Sequence, residues 1–259
     1  MSAAVAIQVG NLGLRSVLRT LRQPAMVVPS LIFPTLLLAI NAGGLDSATR
    51  LRGFPTDSYL TFALAVCFVQ GALFAAMSAG TNVADDVETG FLSRLSLTPL
   101  RRTALLLGQL SGVLTLGLIQ AVAFVLVGVA AGADFETGAP GALVIVVLSL
   151  LISLAFGALG AFAALRSGSA EAVQGMFPLL FASLFLSSQM LPRDLIEHDW
   201  FQTVATYNPV SYMLEGIRAL LISGWDWEAL GLAFGLTVAL AAATMTGASA
   251  ALKTRMTRT

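Results

Sequence analysis

Charge, cysteine, histidine and lysine are all scarce in this chain. Only 11% of its 259 residues are Asp, Glu, Lys or Arg, 57% are hydrophobic, and the mean hydropathy is +0.85. A water-soluble globule carries about 25% charged residues, so that class is excluded. The single cysteine, Cys67, cannot form an internal disulfide and reads as a small buried hydrophobe. The single histidine, His198, has no second His or Cys nearby to complete a metal site. A formal net charge of zero gives no dense basic face for nucleic acid. The opening MSAAVAIQVG lacks the basic start and short apolar run of a cleaved signal peptide, so the N-terminus is expected to stay attached. Also missing are a G-x-x-x-x-G-K-[ST] loop to cradle phosphates and a Walker B run ending in a carboxylate, so no ATP chemistry and no bound cofactor are expected of this chain itself.

Long apolar runs, by contrast, are plentiful. A helix needs about 20 mostly apolar residues to cross a bilayer, and six stretches qualify: 24–40, 58–80, 104–130, 142–164, 172–190 and 229–251. The expected fold is therefore an all-α integral membrane domain of six transmembrane helices occupying 1–259, with short loops. The first stretch is the shortest and holds Pro29 and Pro34, so it is expected to be kinked and packed within the bundle. None of the six contains Asp, Glu, Lys, Arg or His. Intramembrane charges mark proton relays and ion paths, and their absence argues against transport driven by an ion gradient. What the spans hold is neutral polar groups, Gln70, Gln109, Gln120 and Gln174, and small residues four apart, Gly108 with Gly112 and Gly231 with Gly235. Such pairs allow close helix packing, and ordinary intramolecular packing is the favoured reading of them.

Orientation follows from Lys and Arg, which collect in cytoplasmic loops. With the N-terminus inside, Arg15, Arg19, Arg22, Arg94, Arg101, Arg102, Arg166, Lys253, Arg255 and Arg258 are cytoplasmic, ten in all; Arg50, Arg52, Arg193 and Arg218 are the four outside. Both termini are thus expected in the cytoplasm. The preponderance of Arg over the lone Lys253, with abundant Ala, Leu and Gly, points to a GC-rich bacterial genome and hence to a bacterial cytoplasmic membrane.

Three connecting segments carry more than topology. Residues 5–23 place Gln8, Asn11, Arg15, Arg19 and Arg22 on one helical face and Ile7, Leu14, Leu18 and Leu21 on another, the pattern of an amphipathic helix in the membrane interface. Residues 81–103 include DDVETGFLSRLSLTPLRR, in which Asp85, Asp86 and Glu88 are expected at the positive N-terminus of a short surface helix. Phe91, Leu92 and Leu95 give it an apolar side, and Thr98 and Pro99 start the third span. This helix either passes a push from a soluble partner to both flanking spans or is a charged loop that only sets topology. Residues 191–223 are too apolar for a free loop and too polar for a clean span. Their aromatics Trp200, Phe201, Tyr207 and Tyr212 fit the headgroup level. Asn208 and Pro209 split the segment into two short helices tucked into the outer leaflet, with Asp194, Glu197, Glu215 and Arg218 expected to reach water.

At these segments the chain resembles the ABC-2 type permeases, especially the drug-exporter branch typified by the daunorubicin-resistance permease. DDVETGFLSRLSLTPLRR, the run FASLFLSSQMLP ending at Pro192, and NPVSYMLEGIRALL carry the resemblance. It implies six spans behind an interfacial helix that includes Arg15, Arg19 and Arg22, with re-entrant helices between the fifth and sixth. It also implies that Asp85, Asp86, Glu88, Gly90, Phe91, Arg94 and Arg101 form a coupling helix seated on an ATPase subunit. Pro192, Asn208, Pro209, Tyr212, Glu215 and Arg218 would then belong to an outer gate. The implied partners are two copies of an ABC ATPase, which bind ATP and Mg, and a second permease chain, same or homologous. An amphipathic drug-like or lipid-like cargo would leave between the two permeases. Export of a polysaccharide or other envelope polymer keeps the fold and changes the cargo. An intramembrane enzyme would need paired carboxylates, a Ser-His pair or a metal cluster at depth, and the spans hold none.

Overall fold

The computed structural model describes residues 3–91, 94 and 102–256. Among these residues every regular element is helical: α1 (Ala3–Leu21), α2 (Pro24–Gly44), α3 (Tyr59–Glu88), α4 (Arg102–Ala131), α5 (Gly138–Ser167), α6 (Ala170–Phe185), α7 (Asp199–Tyr207), α8 (Pro209–Arg218) and α9 (Trp227–Met256), with two short 3-10 turns at Asp46–Arg50 and Arg193–Leu195. Five helices, α2, α3, α4, α5 and α9, are long and apolar enough to cross a membrane. The chain is thus a multi-pass membrane protein. α6 is apolar but has only 16 residues, about 24 Å at 1.5 Å per residue and short of a bilayer core.

Local chemistry sets the ends of these helices. Ser58 caps α3 by accepting from Thr61 N at 3.3 Å, Ser169 caps α6 by accepting from Ala172 N at 3.2 Å, and Asp226 caps α9 through Glu228 N and Ala229 N, each at 3.0 Å. Gly168 ends α5 in the left-handed region at φ 78°. α2 is continuous through Pro29 and Pro34. Each proline removes a backbone donor, and Cys67 Sγ lies 3.5 Å from the Pro34 carbonyl it can donate to.

α3 sits at the centre, apolar around its whole circumference and buried along most of its length. α2, α4, α5, α6 and α8 surround it. Glycines let the backbones close up. A methyl group on Gly160 of α5 would run into the Ala76 carbonyl of α3, one on Gly157 into Val113 of α4, and one on Gly216 of α8 into Ala233 of α9. The Gly108–Gly112 pair receives α1, with Leu12 and Ser16 at the contacts. Gly231 and Gly235 face open space on the outside of α9.

Contacts define two ends of the bundle. At one, which we call the Asp86 end, α1 meets the end of α3 and the start of α4, Glu88 meets the start of α6, and Arg255 of α9 donates to the Leu165 carbonyl of α5 at 2.8 Å. At the other, the Arg218 end, α8 meets the start of α3 and the residues following α6.

Candidate functional site

The acidic pair expected to open a surface helix instead closes α3. Nothing in residues 81–88 breaks the helix, so it runs on past Gly80 to Glu88 and carries Asp85 and Asp86 to its negative C-terminal end. Charge from α1 makes that placement stable. Arg19 reaches Asp85 at 2.7 Å and Asp86 at 3.2 Å, Arg15 reaches Asp86 at 3.0 Å, and Gln109 of α4 donates to Asp86 at 3.2 Å. Asp86 is only 4% exposed. A buried carboxylate needs such partners, so Asp86 is the node that joins α1, α3 and α4.

Beyond it, Gly90 adopts φ 68°, the left-handed position that ends helices, and its N–H donates to the Val87 carbonyl at 3.1 Å. Phe91 lies under the Arg15 guanidinium at 3.9 Å, and Arg94 turns back to donate to the Thr89 carbonyl at 3.4 Å. Glu88 accepts from the N–H of Ala170, the first residue of α6, at 3.2 Å. Arg22 is exposed at the end of α1. Arg101 lies outside the described residues. The structure therefore brings together Arg15, Arg19, Asp85, Asp86 and Phe91, while Glu88 joins a different helix.

α1 has three faces. Gly13, Ser16 and Thr20 pack on α4, with Ser16 donating to the Gln109 carbonyl at 3.0 Å. Arg15 and Arg19 bind the end of α3. Leu14, Leu18 and Leu21 point outward, exposed. The sequence pattern distinguished only the polar and apolar sides.

At the Arg218 end, α7 and α8 are the two short helices expected, split at Asn208, which caps α8 by accepting from Val210 N at 3.0 Å ahead of Pro209. Asn208 also donates to the Ser183 and Leu186 carbonyls at 2.6 and 2.9 Å. Arg218 corrects an expectation. It does not reach water but is 6% exposed, stacked on the Phe62 ring at 3.5 Å. Its guanidinium donates to the carbonyls of Phe62, Ser188 and Gln189 at 3.1, 2.6 and 2.7 Å. Those acceptors come from α3 and from the chain after α6, so one cation ties three segments. Its charge looked like a surface signal because no sequence pattern exposes the carbonyls that surround it.

Glu215 is half-buried, 2.7 Å from Arg193, whose guanidinium lies over Tyr212 at 4.4 Å. Desolvation pulls the Arg193 pKa down, but the charge of Glu215 and the hydrogen bonds the guanidinium donates to Tyr212 and Glu215 outweigh it and leave the value raised. Asp194 and Glu197 are exposed, as expected, and Pro192 is half-buried on the wall of a cavity of about 350 Å³ shared with Phe62, Arg193, Glu215 and Arg218. After α8 the helix widens into a π turn at Ala219–Ser223. Its Leu220 and Leu221 carbonyls accept from Thr137 N and Glu136 N at 3.3 and 3.1 Å, and Thr137 Oγ1 adds a 2.7 Å bond to Leu220.

Along the side of the bundle between these ends runs a ladder of rings, Phe33 of α2, Phe74 of α3 and Phe177, Phe181 and Phe185 of α6, with neighbouring centroids 5.5–6.0 Å apart. No group of acidic, His and Cys residues suited to a metal occurs among the described residues.

The ABC-2 type transporter family model matches residues 7–222, and the chain belongs to that family. It is a transport permease of the ABC-2 type. It is 28% identical over 217 residues to a protein of Porphyra purpurea described only as a transport permease, ycf38, covering 83% of this chain and 73% of the relative. It is also 27% identical over 197 residues to the daunorubicin resistance ABC transporter permease protein DrrB1 of Streptomyces coeruleorubidus, covering 72% of this chain and 66% of that one.

Proposed function

We propose that this chain is the membrane subunit of an ATP-driven exporter that moves an amphipathic drug-like or lipid-like molecule outward across a bacterial cytoplasmic membrane. It would work with two copies of an ABC ATPase, which supply ATP and Mg, and with a second permease chain. The observation that carries this reading is the convergence of α1, α3, α4 and α6 on the few residues around Asp86 and Glu88. A soluble subunit seated against Gly90, Phe91, Arg94 and Arg101 would push four helices through one node. The apolar stretches of the spans hold no Asp, Glu, Lys, Arg or His with which to harvest an ion gradient.

The Asp86 end is cytoplasmic in this reading, with both termini. Ten of the fourteen basic residues then lie inside. Of the fourteen carboxylates only Asp85, Asp86, Glu88 and Glu171 lie inside, leaving 14 − 4 = 10 outside. The short α6, extended by residues 186–190, makes the sixth crossing, and α7 and α8 re-enter the outer leaflet as the gate. The phenylalanine ladder on α2, α3 and α6 is the apolar wall along which cargo leaves, facing the second permease. DrrB1, by its name, belongs to a daunorubicin resistance transporter, which supports an amphipathic cargo.

The test is co-expression of the permease with its ATPase, followed by co-purification and ATP-dependent efflux for the parent, Arg94→Ala and Phe181→Ala. Arg94→Ala is expected to weaken assembly. Phe181→Ala is expected to assemble normally and to lose efflux. Normal assembly and normal efflux in both would refute the assignment.

A further inference from the structure

α6 is fully buried only near its two ends, while between them Phe177, Leu180 and Phe181 lie half-buried against the core on one face. Among its 16 residues just Val173 and Leu184 are fully buried. They are eleven residues apart, three turns, and so lie on one face about 16 Å from each other. Between them Gln174, Gly175, Pro178, Leu179 and Ala182 are exposed.

Each end is pinned by one apolar contact and by polar ones. At the Asp86 end Val173 fills the notch left by Gly80 of α3, where a methyl group would collide with it. Glu88 of α3 adds its carboxylate to the first N–H of α6, at the positive end of that helix. At the Arg218 end Leu184 is buried. Asn208 donates to the carbonyls of Ser183 in α6 and of Leu186 just past its end, and Arg218 to those of Ser188 and Gln189 further on. Ser188 N donates to Ser211 Oγ at 3.1 Å, a further tie to α8.

We propose that α6 is a transmission rod: it carries displacement of the Glu88 end of α3 along its axis to the α7–α8 segment. A helix is stiff along its axis because every backbone hydrogen bond would have to stretch together. The midsection of α6 packs through half-buried rings on one face and is exposed on the other, so the helix can slide along its neighbours as a shear with small side-chain adjustments. Glu88 and Val173 are positioning residues at one joint, Asn208 and Arg218 at the other. The inference rests on the reading that an ATPase pushes the Asp86 end.

The experiment uses the permease–ATPase complex in lipid nanodiscs with a reporter, Tyr207→Cys, at the exposed end of α7; Cys67 is buried and does not compete for labelling. Maleimide labelling is measured without nucleotide and with ATP plus vanadate. The parent is expected to change its labelling rate with nucleotide. In complexes that assemble with the ATPase, Glu88→Ala combined with Val173→Ala is expected to lose that change, and Asn208→Ala to lose it from the other joint. Glu88→Gln, which keeps an acceptor for Ala170 N, is expected to retain it. Ser169 still caps α6 in all of these, and if the double variant does not fold, Asn208→Ala tests the rod alone. A nucleotide response that persists in the double variant or in Asn208→Ala, or that never occurs in the parent, overturns the proposal. If no ATPase assembles with the parent, the functional reading itself fails, and that is seen before any label is added.

Discussion

Replacing Arg218 by Met removes a cation whose hydrogen bonds all go to backbone carbonyls, and the cost follows from what is left behind. Hydrogen bonds to a charged group contribute about 1.5–3 kcal/mol each, and stacking of a desolvated cation on an aromatic ring about 2 kcal/mol. Those gains offset the desolvation of the guanidinium, so their sum overstates its net value. The larger effect is that the carbonyls of Phe62, Ser188 and Gln189 would lose their shared donor within a tightly packed region. Leaving a buried acceptor without its donor costs about 1–3 kcal/mol. Arg218→Lys should cost about 2 kcal/mol, because an ammonium is a point donor that cannot span carbonyls from two segments as a planar fork does. The assay is reversible unfolding in detergent, with exposed Arg52→Met as the control. The expected order is parent and Arg52→Met together, then Arg218→Lys, then Arg218→Met. An Arg218→Met variant as stable as the parent would show that the cation is tolerated and does not tie the segments.

Other substitutions test the packing and the node. Gly160→Ala should cost about 2–5 kcal/mol, since its methyl meets a main-chain oxygen of α3 that cannot rotate away, whereas Gly235→Ala, facing open space, should be neutral or stabilising by about 0.5–1 kcal/mol; equal melting of the two would contradict the α3–α5 contact. Gln120 is 2% exposed and neither polar atom of its amide has a partner. Gln120→Leu should therefore stabilise the fold by about 1–3 kcal/mol, and a loss of stability in the same unfolding assay would count against that. Asp86→Asn keeps the shape of the node and removes its charge. Limited proteolysis within residues 1–23 should quicken as α1 loosens, and unchanged cleavage would mean that α1 is held by its contacts with α4 alone.

Five of the six expected spans were legible because apolar length is a blunt signal, while the stretch 172–190 yields only the 16-residue α6. The 30-residue α3, α4 and α5 all follow from that signal. Helix ends were less so. The second stretch was expected to finish at Gly80, where apolar residues thin out, but the backbone continues until Gly90 can take a positive φ. Hydropathy measures solvent preference, and a helix persists beyond the bilayer when its charges find partners. Those partners, Arg15 and Arg19, stand some 70 residues away in sequence, so only the folded arrangement reveals them. The same holds for Arg218, whose acceptors are main-chain atoms and leave no mark on residue type. Asn208 and Pro209 were readable, because a cap followed by proline acts within three residues. The Gly108–Gly112 and Gly231–Gly235 pairs look alike in sequence and differ in surroundings: one receives α1 and the other faces outward.

The three-faced first helix has a consequence for how the chain is made. α1 leaves the ribosome before anything it binds, and its seat on α4 involves residues more than ninety positions later, as in the Ser16–Gln109 bond. Until the end of α3 is made, some 70 positions later, its arginines lack Asp85 and Asp86, and anionic lipid headgroups are available counterions. α1 is thus made well before it is locked, and waits while α2 and α3 are completed behind it.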